Sequence, residues 1–222
     1  HWRTLYYARF KPSTNTNWEG NMKRYALQVT DTGDGTSSSN IVDEKNDNAV
    51  NTATGFFLPD SNSWWGVLAD DTDPNDGSDV ELGGARQELE LSADSRTIYA
   101  PISTTGNGSN KLATSMPART DSFVLASNAD ANSSMLGMDP SSTSDEIQDR
   151  VEFLLTSWGD PLHAEPRLVN YGLKSGATIE QAITDPDKQE NVIFVSTNMG
   201  AVHAIDPIDG SEIFTFMPRE GL

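Results

Sequence analysis

The last third of the chain carries the pattern that most restricts its fold, because short apolar runs alternate there with tight-turn residues. Four such runs cover residues 166–171, 191–197, 201–205 and 212–217. The turn Asp206–Gly210 has proline at its second position and glycine at its end, the residues that β-turns favour there. The pattern predicts four short antiparallel strands in a β-meander with the proportions of a propeller blade.

A single blade leaves its faces uncovered, and no further copy of this repeat occurs in the sequence, whereas propellers contain about four to eight blades. We therefore expect a mainly β fold: a loop-rich β domain over residues 1–150, then the start of a quinoprotein-like β-propeller with about one blade over residues 151–222. The chain begins with His1 and has no basic-then-apolar leader, so we expect a processed product or a segment of a longer protein.

The first 29 residues show a second β pattern. Leu5 and Tyr7 alternate with other residues, as do Tyr25, Leu27 and Val29, and this period of two predicts half-buried strands.

The middle of the chain, residues 30–149, is rich in Asp, Asn, Ser, Thr and Gly, with only short apolar islands. Such polar stretches predict a loop-dominated region that cannot form a compact core. One helix is expected near its end, because the hydroxyl residues 142–144 precede two acids and an apolar stripe at positions 147, 151, 154 and 155.

Charge and composition exclude several classes of partner. The 222 residues include 15 basic and 33 acidic side chains, a net charge of −18, which would repel nucleic acid and anionic membranes. No apolar run approaches the roughly 20 residues of a membrane span, so no membrane insertion is expected. The absence of cysteine excludes disulfides, thiolate metal sites and cysteine nucleophiles. This acidic, cysteine-free composition is typical of an exported bacterial protein.

The acidic loop at residues 70–79 is the best metal candidate in the sequence. Calcium takes six to eight oxygen ligands, and an EF-type loop supplies them from alternating Asp and Asn. The candidate ligands are Asp71, Asp73, Asn75 and Asp79. However, Gly77 falls one place late for such a loop and no Glu occupies its twelfth position, so we favour a solvated acidic loop and keep calcium as the alternative.

The two internal histidines, His163 and His203, are predicted to be buried and hydrogen-bonded for structural reasons, because neither has a second histidine or a carboxylate at ligand spacing. Asp206 and Gly210, with Phe214 after them, resemble the blade-locking repeat of quinoprotein dehydrogenases. In that repeat the Asp caps the turn and the Gly takes unusual dihedral angles. Such a repeat indicates a propeller rather than a cofactor.

Three longer segments resemble one family. Residues 157–166 (SWGDPLHAEP) with 169–172 (VNYG) are similar to the segment that opens the C-terminal propeller of PilY-type proteins, which are type IV pilus assembly proteins and pilus-tip adhesins. Residues 195–206 (VSTNMGAVHAID) resemble that family's first blade, and 17–25 (NWEGNMKRY) an upstream motif. Met199 stands where the family usually has Asp, and the family's calcium loop between later blades has no counterpart here.

The resemblance implies a non-enzymatic role in pilus assembly and surface attachment, at the pilus tip, cell surface or outer membrane of a Gram-negative bacterium. The implied partners are pilin or minor pilin subunits and an unknown surface or host ligand. The resemblance implies a structural role for eight residues: Trp18, Gly20, Arg24 and Tyr25 in the first motif, and Gly159, Asp160, Pro161 and His163 in the second.

Two functions from other classes stay open at this stage. One is a periplasmic quinoprotein-like enzyme, whose propeller would bind a quinone near calcium and would need further Trp-containing repeats. The other is an extracellular β-rich module that binds carbohydrate or matrix.

Overall fold

The computed structural model of the protein describes residues 3–14, 18–31, 33, 35–66, 75–92, 96–99, 133, 136–161 and 164–218. Strand accounts for 35% of these residues and helix for 18%, which confirms the expected mainly β class. The strands form two sheets, and within the described residues neither sheet closes on itself. The propeller therefore stays a prediction.

The first sheet has three strands in the order β1-β2-β3, with both pairs antiparallel. The strands are β1 (Thr4–Lys11), β2 (Glu19–Asp31) and β3 (Ser37–Val42). The two strands expected from the period-two alternation are thus a long hairpin. The beginning of β2 is buried and its end is exposed, so only its first half faces the rest of the protein.

The second sheet has five strands in the order β4-β8-β7-β6-β5. They are β4 (Ile98–Tyr99), β5 (Arg167–Leu173), β6 (Gln189–Ser196), β7 (Val202–Ile205) and β8 (Glu212–Phe216). Strands β5 to β8 pair antiparallel in chain order, as the predicted meander requires. Strand β4 pairs parallel with β8, an addition that the sequence did not predict because two residues are too few to show a periodicity.

Three α-helices lie among the described residues: α1 (Gly84–Leu91), α2 (Ser144–Thr156) and α3 (Ile179–Thr184), with a 3-10 turn at Pro186–Lys188. Helix α2 is the helix expected from the hydroxyl and acid pattern. Thr143 and Glu146 form a capping box at its N-terminus, and its apolar stripe is buried. The sequence did not predict helix α1, because its N-cap is Gly83 and the Arg86 amide donates instead to Asn21 Oδ1, a residue far away in the sequence. None of the described helices combines the length and apolar character that crossing a membrane demands.

Two apolar clusters hold these elements together. The first packs α2 against β4 and the end of β8 through Ile98, Leu136, Ile147, Val151, Leu154, Leu155, Ala201 and Met217. The second joins β2 and α1 to the five-stranded sheet through Met22, Trp65, Ala85, Leu89, Trp158, Ile193, Val195 and Ile205.

The expectation that the middle region cannot form a compact core is wrong for its described islands. Trp65, Leu89 and Ile98 are at most 1% exposed and belong to the two clusters. These residues are sparse along the chain, and they form a core only because the sheets bring them together. The second cluster also combines residues from both sides of position 150, which lies inside α2. The domain division at that position stays a prediction.

Candidate functional site

The motif at the start of β2 and the motif after α2 meet at two glycines. Glu19 forms an isolated antiparallel bridge with Gly159, and the Gly20 amide donates to the Trp158 carbonyl over 3.1 Å. A Cβ on Gly20 would lie 2.6 Å from Pro161 Cδ and closer still to the carbonyl oxygen of Gly159. The backbones approach so closely that a side chain at position 20 has no room.

The second motif is also bound to the turn between β6 and β7. The Asp160 amide donates to Asn198 Oδ1 over 2.9 Å, and the Asn198 amide donates to the Asp160 carbonyl over 2.8 Å. A Cβ on Gly159 would lie 2.6 Å from Met199 Cγ. The segments that share the family resemblance are therefore in direct contact with one another; we call this contact of residues 19–20, 158–161 and 198–199 the motif junction.

Arg24 connects the first motif to the turn between β7 and β8. Its Nη1 donates to the Ile208 carbonyl over 2.8 Å, and its guanidinium carbon lies 5.3 Å from the centre of the Trp64 ring. The adjacent Trp65 is only 1% exposed, and a Cβ on Gly210 would lie 2.6 Å from its Cγ. The turn thus needs glycine at position 210 for space as well as for its φ of +79°. Asp206 Oδ1 accepts from the Ile208 amide over 2.8 Å, as expected for the residue that caps the turn.

Trp18 and Tyr25 have structural contacts. The Trp18 indole stacks on Phe10 with ring centres 5.8 Å apart, and its Nε1 donates to the Ser13 carbonyl over 3.0 Å. Tyr25 is fully buried against Phe57, with ring centres 4.5 Å apart, and burial raises the pKa of its phenol. Trp18 therefore packs against β1, and Tyr25 packs β2 against the segment around Phe57.

Only part of the predicted calcium loop can be described. Asp71 and Asp73 lie outside the described residues, while Asn75 and Asp79 are exposed. Asp79 Oδ1 accepts from the Glu81 amide over 2.8 Å. No group of three or more potential metal-binding His, Asp or Glu side chains occurs in the part of the chain that the structure describes. Calcium at this loop stays a prediction.

Asp76, in the same loop, forms a buried ion pair that the sequence did not predict. Lys23 Nζ lies 3.1 Å from Asp76 Oδ2 and also donates to the Asp76 carbonyl, and the Lys23 side chain is fully buried. Ser63 donates to the same carboxylate through its amide and its hydroxyl, each over 2.6 Å. Burial lowers the pKa of Lys23, and the nearby Asp76 charge opposes that shift. The pair was missed because nothing local marks a lysine in a strand as buried.

His203 is buried and hydrogen-bonded, as predicted for a structural histidine. Its Nδ1 lies 2.7 Å from Glu212 Oε2 and 2.9 Å from Thr215 Oγ1, and its ring stacks on Trp158 with centres 4.2 Å apart. Sequence spacing showed no carboxylate partner for His203, because Glu212 comes beside it only when β7 and β8 pair in the sheet. His163 lies outside the described residues.

Arg96 completes this buried cluster. Its Nε donates to Glu212 Oε1 over 2.6 Å, and its Nη1 donates to the carbonyls of Leu154 and Leu155 over 2.6 and 3.0 Å. It therefore binds the C-terminal end of α2 to the sheet. Burial opposes ionisation of Glu212, but the hydrogen bond from His203 and the charge of Arg96 outweigh it and lower the pKa of Glu212 to about 2.

A cleft of about 270 Å³ opens beside Arg24, between the first sheet and the end of the five-stranded sheet. Tyr6 and Arg24 contribute from the first sheet, and Asp206 contributes from the turn after β7. Tyr171, Lys174, Asp187 and Glu190 line the rest together with neighbouring residues. Two residues singled out from sequence, Arg24 and Asp206, thus face the same cleft although they come from different motifs.

Comparison of the chain with protein-family models, with curated proteins and with solved structures gives no match.

Proposed function

We propose that this chain is a non-enzymatic segment of a PilY-type pilus adhesin, acting in type IV pilus assembly and surface attachment. The observation that carries the proposal is the motif junction. Segments that resemble the family at distant positions of the sequence contact one another at Gly20 and Gly159. This contact supports the resemblance, because the glycines of both segments are needed at the same place, where the two backbones touch.

The outer face of the five-stranded sheet supports the propeller part of this proposal. Phe194 and Phe214 both pair with Ala204, which places the three on one face, and the two phenylalanine rings are 6.3 Å apart. Tyr99 packs edge-on against Phe214, and Phe216 beside it is 37% exposed. A propeller blade uses such an apolar face to pack against its neighbour.

The edge strand β5 supports the proposed pilin partners. Every residue of β5 except Gly172 is exposed, among them Leu168 at 42% and Val169 at 36%. Within the described residues it pairs only with β6, whereas β4 covers the opposite edge of the sheet. An uncovered apolar edge is suited to strand addition by a pilus subunit.

Deletion of the gene in the bacterium that produces the protein tests this function. We expect fewer surface pili and weaker attachment to abiotic and host-cell surfaces, with both restored by the intact gene supplied in trans. Wild-type pilus number and attachment in the deletion strain would refute the proposal.

A further inference from the structure

The cleft beside Arg24 is lined by the charged side chains of Lys174 and Glu190. Within the described residues, the side chains of Lys174 and Glu190 make no hydrogen bond or ion pair with another residue. The fold does not use these groups, so they are available to a ligand.

Tyr6 lines the same cleft from strand β1. Tyr6 is half-buried and stacks on Trp65 with ring centres 5.5 Å apart, which fixes the position of its phenol. Its pKa is raised by burial and by the charges of Asp206 and Asp187, against the opposing charge of Arg24. The hydroxyl therefore stays protonated near neutral pH. It is close enough to Arg24 and to Asp206 to be affected by both charges.

The walls of the cleft offer apolar contact beside these polar groups. Tyr171 is 61% exposed and Ile213 is 46% exposed, and both line the cleft with Val192 and Pro186. An exposed aromatic ring next to hydroxyl and carboxylate groups suits a ligand that has both a C–H face and several hydroxyls.

The volume of the cleft and the charges of its lining residues indicate which class of ligand fits. A volume of about 270 Å³ is near the lower limit of small-molecule pockets, so it accommodates one ring rather than an extended chain. The ionic lining residues are two cations, Arg24 and Lys174, and three carboxylates, Asp187, Glu190 and Asp206. A strongly anionic or cationic ligand would face repulsion from one set, whereas a neutral polyol can donate to the carboxylates and accept from the cations.

We infer that this cleft binds one neutral pyranose ring of a glycan, with Tyr171 against the C–H face and Asp187, Glu190 and Lys174 hydrogen-bonded to the hydroxyls. The inference rests on the proposed adhesin function for its biological setting, since it supplies the class of surface ligand that such an adhesin would bind.

Nuclear magnetic resonance titration of the purified 222-residue chain with methyl glycosides of glucose, galactose and mannose tests the inference. We expect saturable shifts of backbone amides around the cleft with at least one glycoside. Tyr171→Ala and Asp187→Asn should each weaken that binding about tenfold. Both residues are exposed, so the variants are expected to fold, and thermal unfolding checks this.

Phe56→Ala is the matched control, because Phe56 is 77% exposed and does not line the cleft. It should bind the glycoside as the wild type does. No saturable shift with any glycoside, equal affinity in Tyr171→Ala and wild type, or shifts caused only by inorganic phosphate or a lysine amide would overturn the inference. Glycoside binding without a pilus phenotype would refute the adhesin function alone, and a pilus phenotype without glycoside binding would refute the cleft alone.

Discussion

Gly20 at the start of β2 and Gly159 after α2 contact each other backbone to backbone, with Gly20 donating its amide to the carbonyl of the adjacent Trp158. Each glycine is also closed in on the side where a Cβ would stand: by Pro161 at Gly20, and by Met199 at Gly159. The attachment of the first sheet to the meander therefore depends on the absence of two side chains.

Replacing Gly20 with alanine should destabilise the protein by about 3 kcal/mol, because the new Cβ meets backbone that cannot rotate away. Thermal or urea unfolding measures the loss. Gly66→Ala is the control, since among the described residues the atom nearest to its Cβ, chain neighbours aside, would be the Ser63 carbonyl oxygen at 3.8 Å, an ordinary contact. Equal stability of Gly20→Ala and Gly66→Ala would contradict the described junction.

Removing one partner of the Lys23–Asp76 pair should cost about 3–5 kcal/mol, because the other charge is left buried without compensation. Lys23→Met tests this by urea unfolding. The comparison is Lys11→Met, which breaks the exposed pair with Glu81 and should change the stability far less, because water screens exposed ion pairs. A small effect at Lys23, similar to that at Lys11, would show that the pair is not buried as described.

Acid should destabilise the cluster around Glu212. The hydrogen bond from His203 and the charge of Arg96 overcome burial and lower the pKa of Glu212 from 4.5 to about 2. The folded state therefore binds fewer protons than the unfolded state, and about 3 kcal/mol of stability present above pH 4.5 is lost as the pH falls towards 2. Burial lowers the pKa of His203, so its contribution to stability also falls as the pH drops below 6.5.

Thermal unfolding between about pH 8 and pH 2.5 measures this loss. Glu212→Gln should flatten the acid limb of the curve, whereas Glu165→Gln, which alters a side chain that is 79% exposed, should leave the limb unchanged. A wild-type unfolding temperature that is constant across this range would argue against the buried cluster.

Thr143→Ala should destabilise α2 by about 1 kcal/mol, because the Thr143 side chain accepts from the Glu146 amide and the Glu146 carboxylate accepts from the Thr143 amide. Thr143→Ser retains the cap and is the control. Circular dichroism during urea unfolding reports the difference, and identical midpoints for the two variants would mean that the capping box contributes nothing.

Local patterns predicted much of this fold. The alternation at Leu5 and Tyr7, the turn Asp206–Gly210 and the hydroxyl-acid pattern before Ile147 each appear within a few residues of sequence, and each is confirmed by the structure. A strand, a tight turn and a capped helix are set mainly by neighbours in the chain, so their signals are visible without the fold.

The contacts of the site could not be predicted in the same way. Arg96 reaches Glu212, Lys23 reaches Asp76, and Arg24 reaches Ile208 only after the chain has folded. The residues of each pair are far apart in sequence, and a buried lysine or arginine has the same local sequence signature as a solvated one. The cleft could not be predicted from the sequence either, because its lining residues come from both sheets and are far apart along the chain.

Immunogold electron microscopy of piliated cells, with antibody raised against residues 1–222, tests the central claim most directly. The proposed pilus-adhesin function predicts gold at filament ends or on the outer cell surface, with no label on the deletion strain. Label confined to the periplasm of cells with intact pili would contradict it.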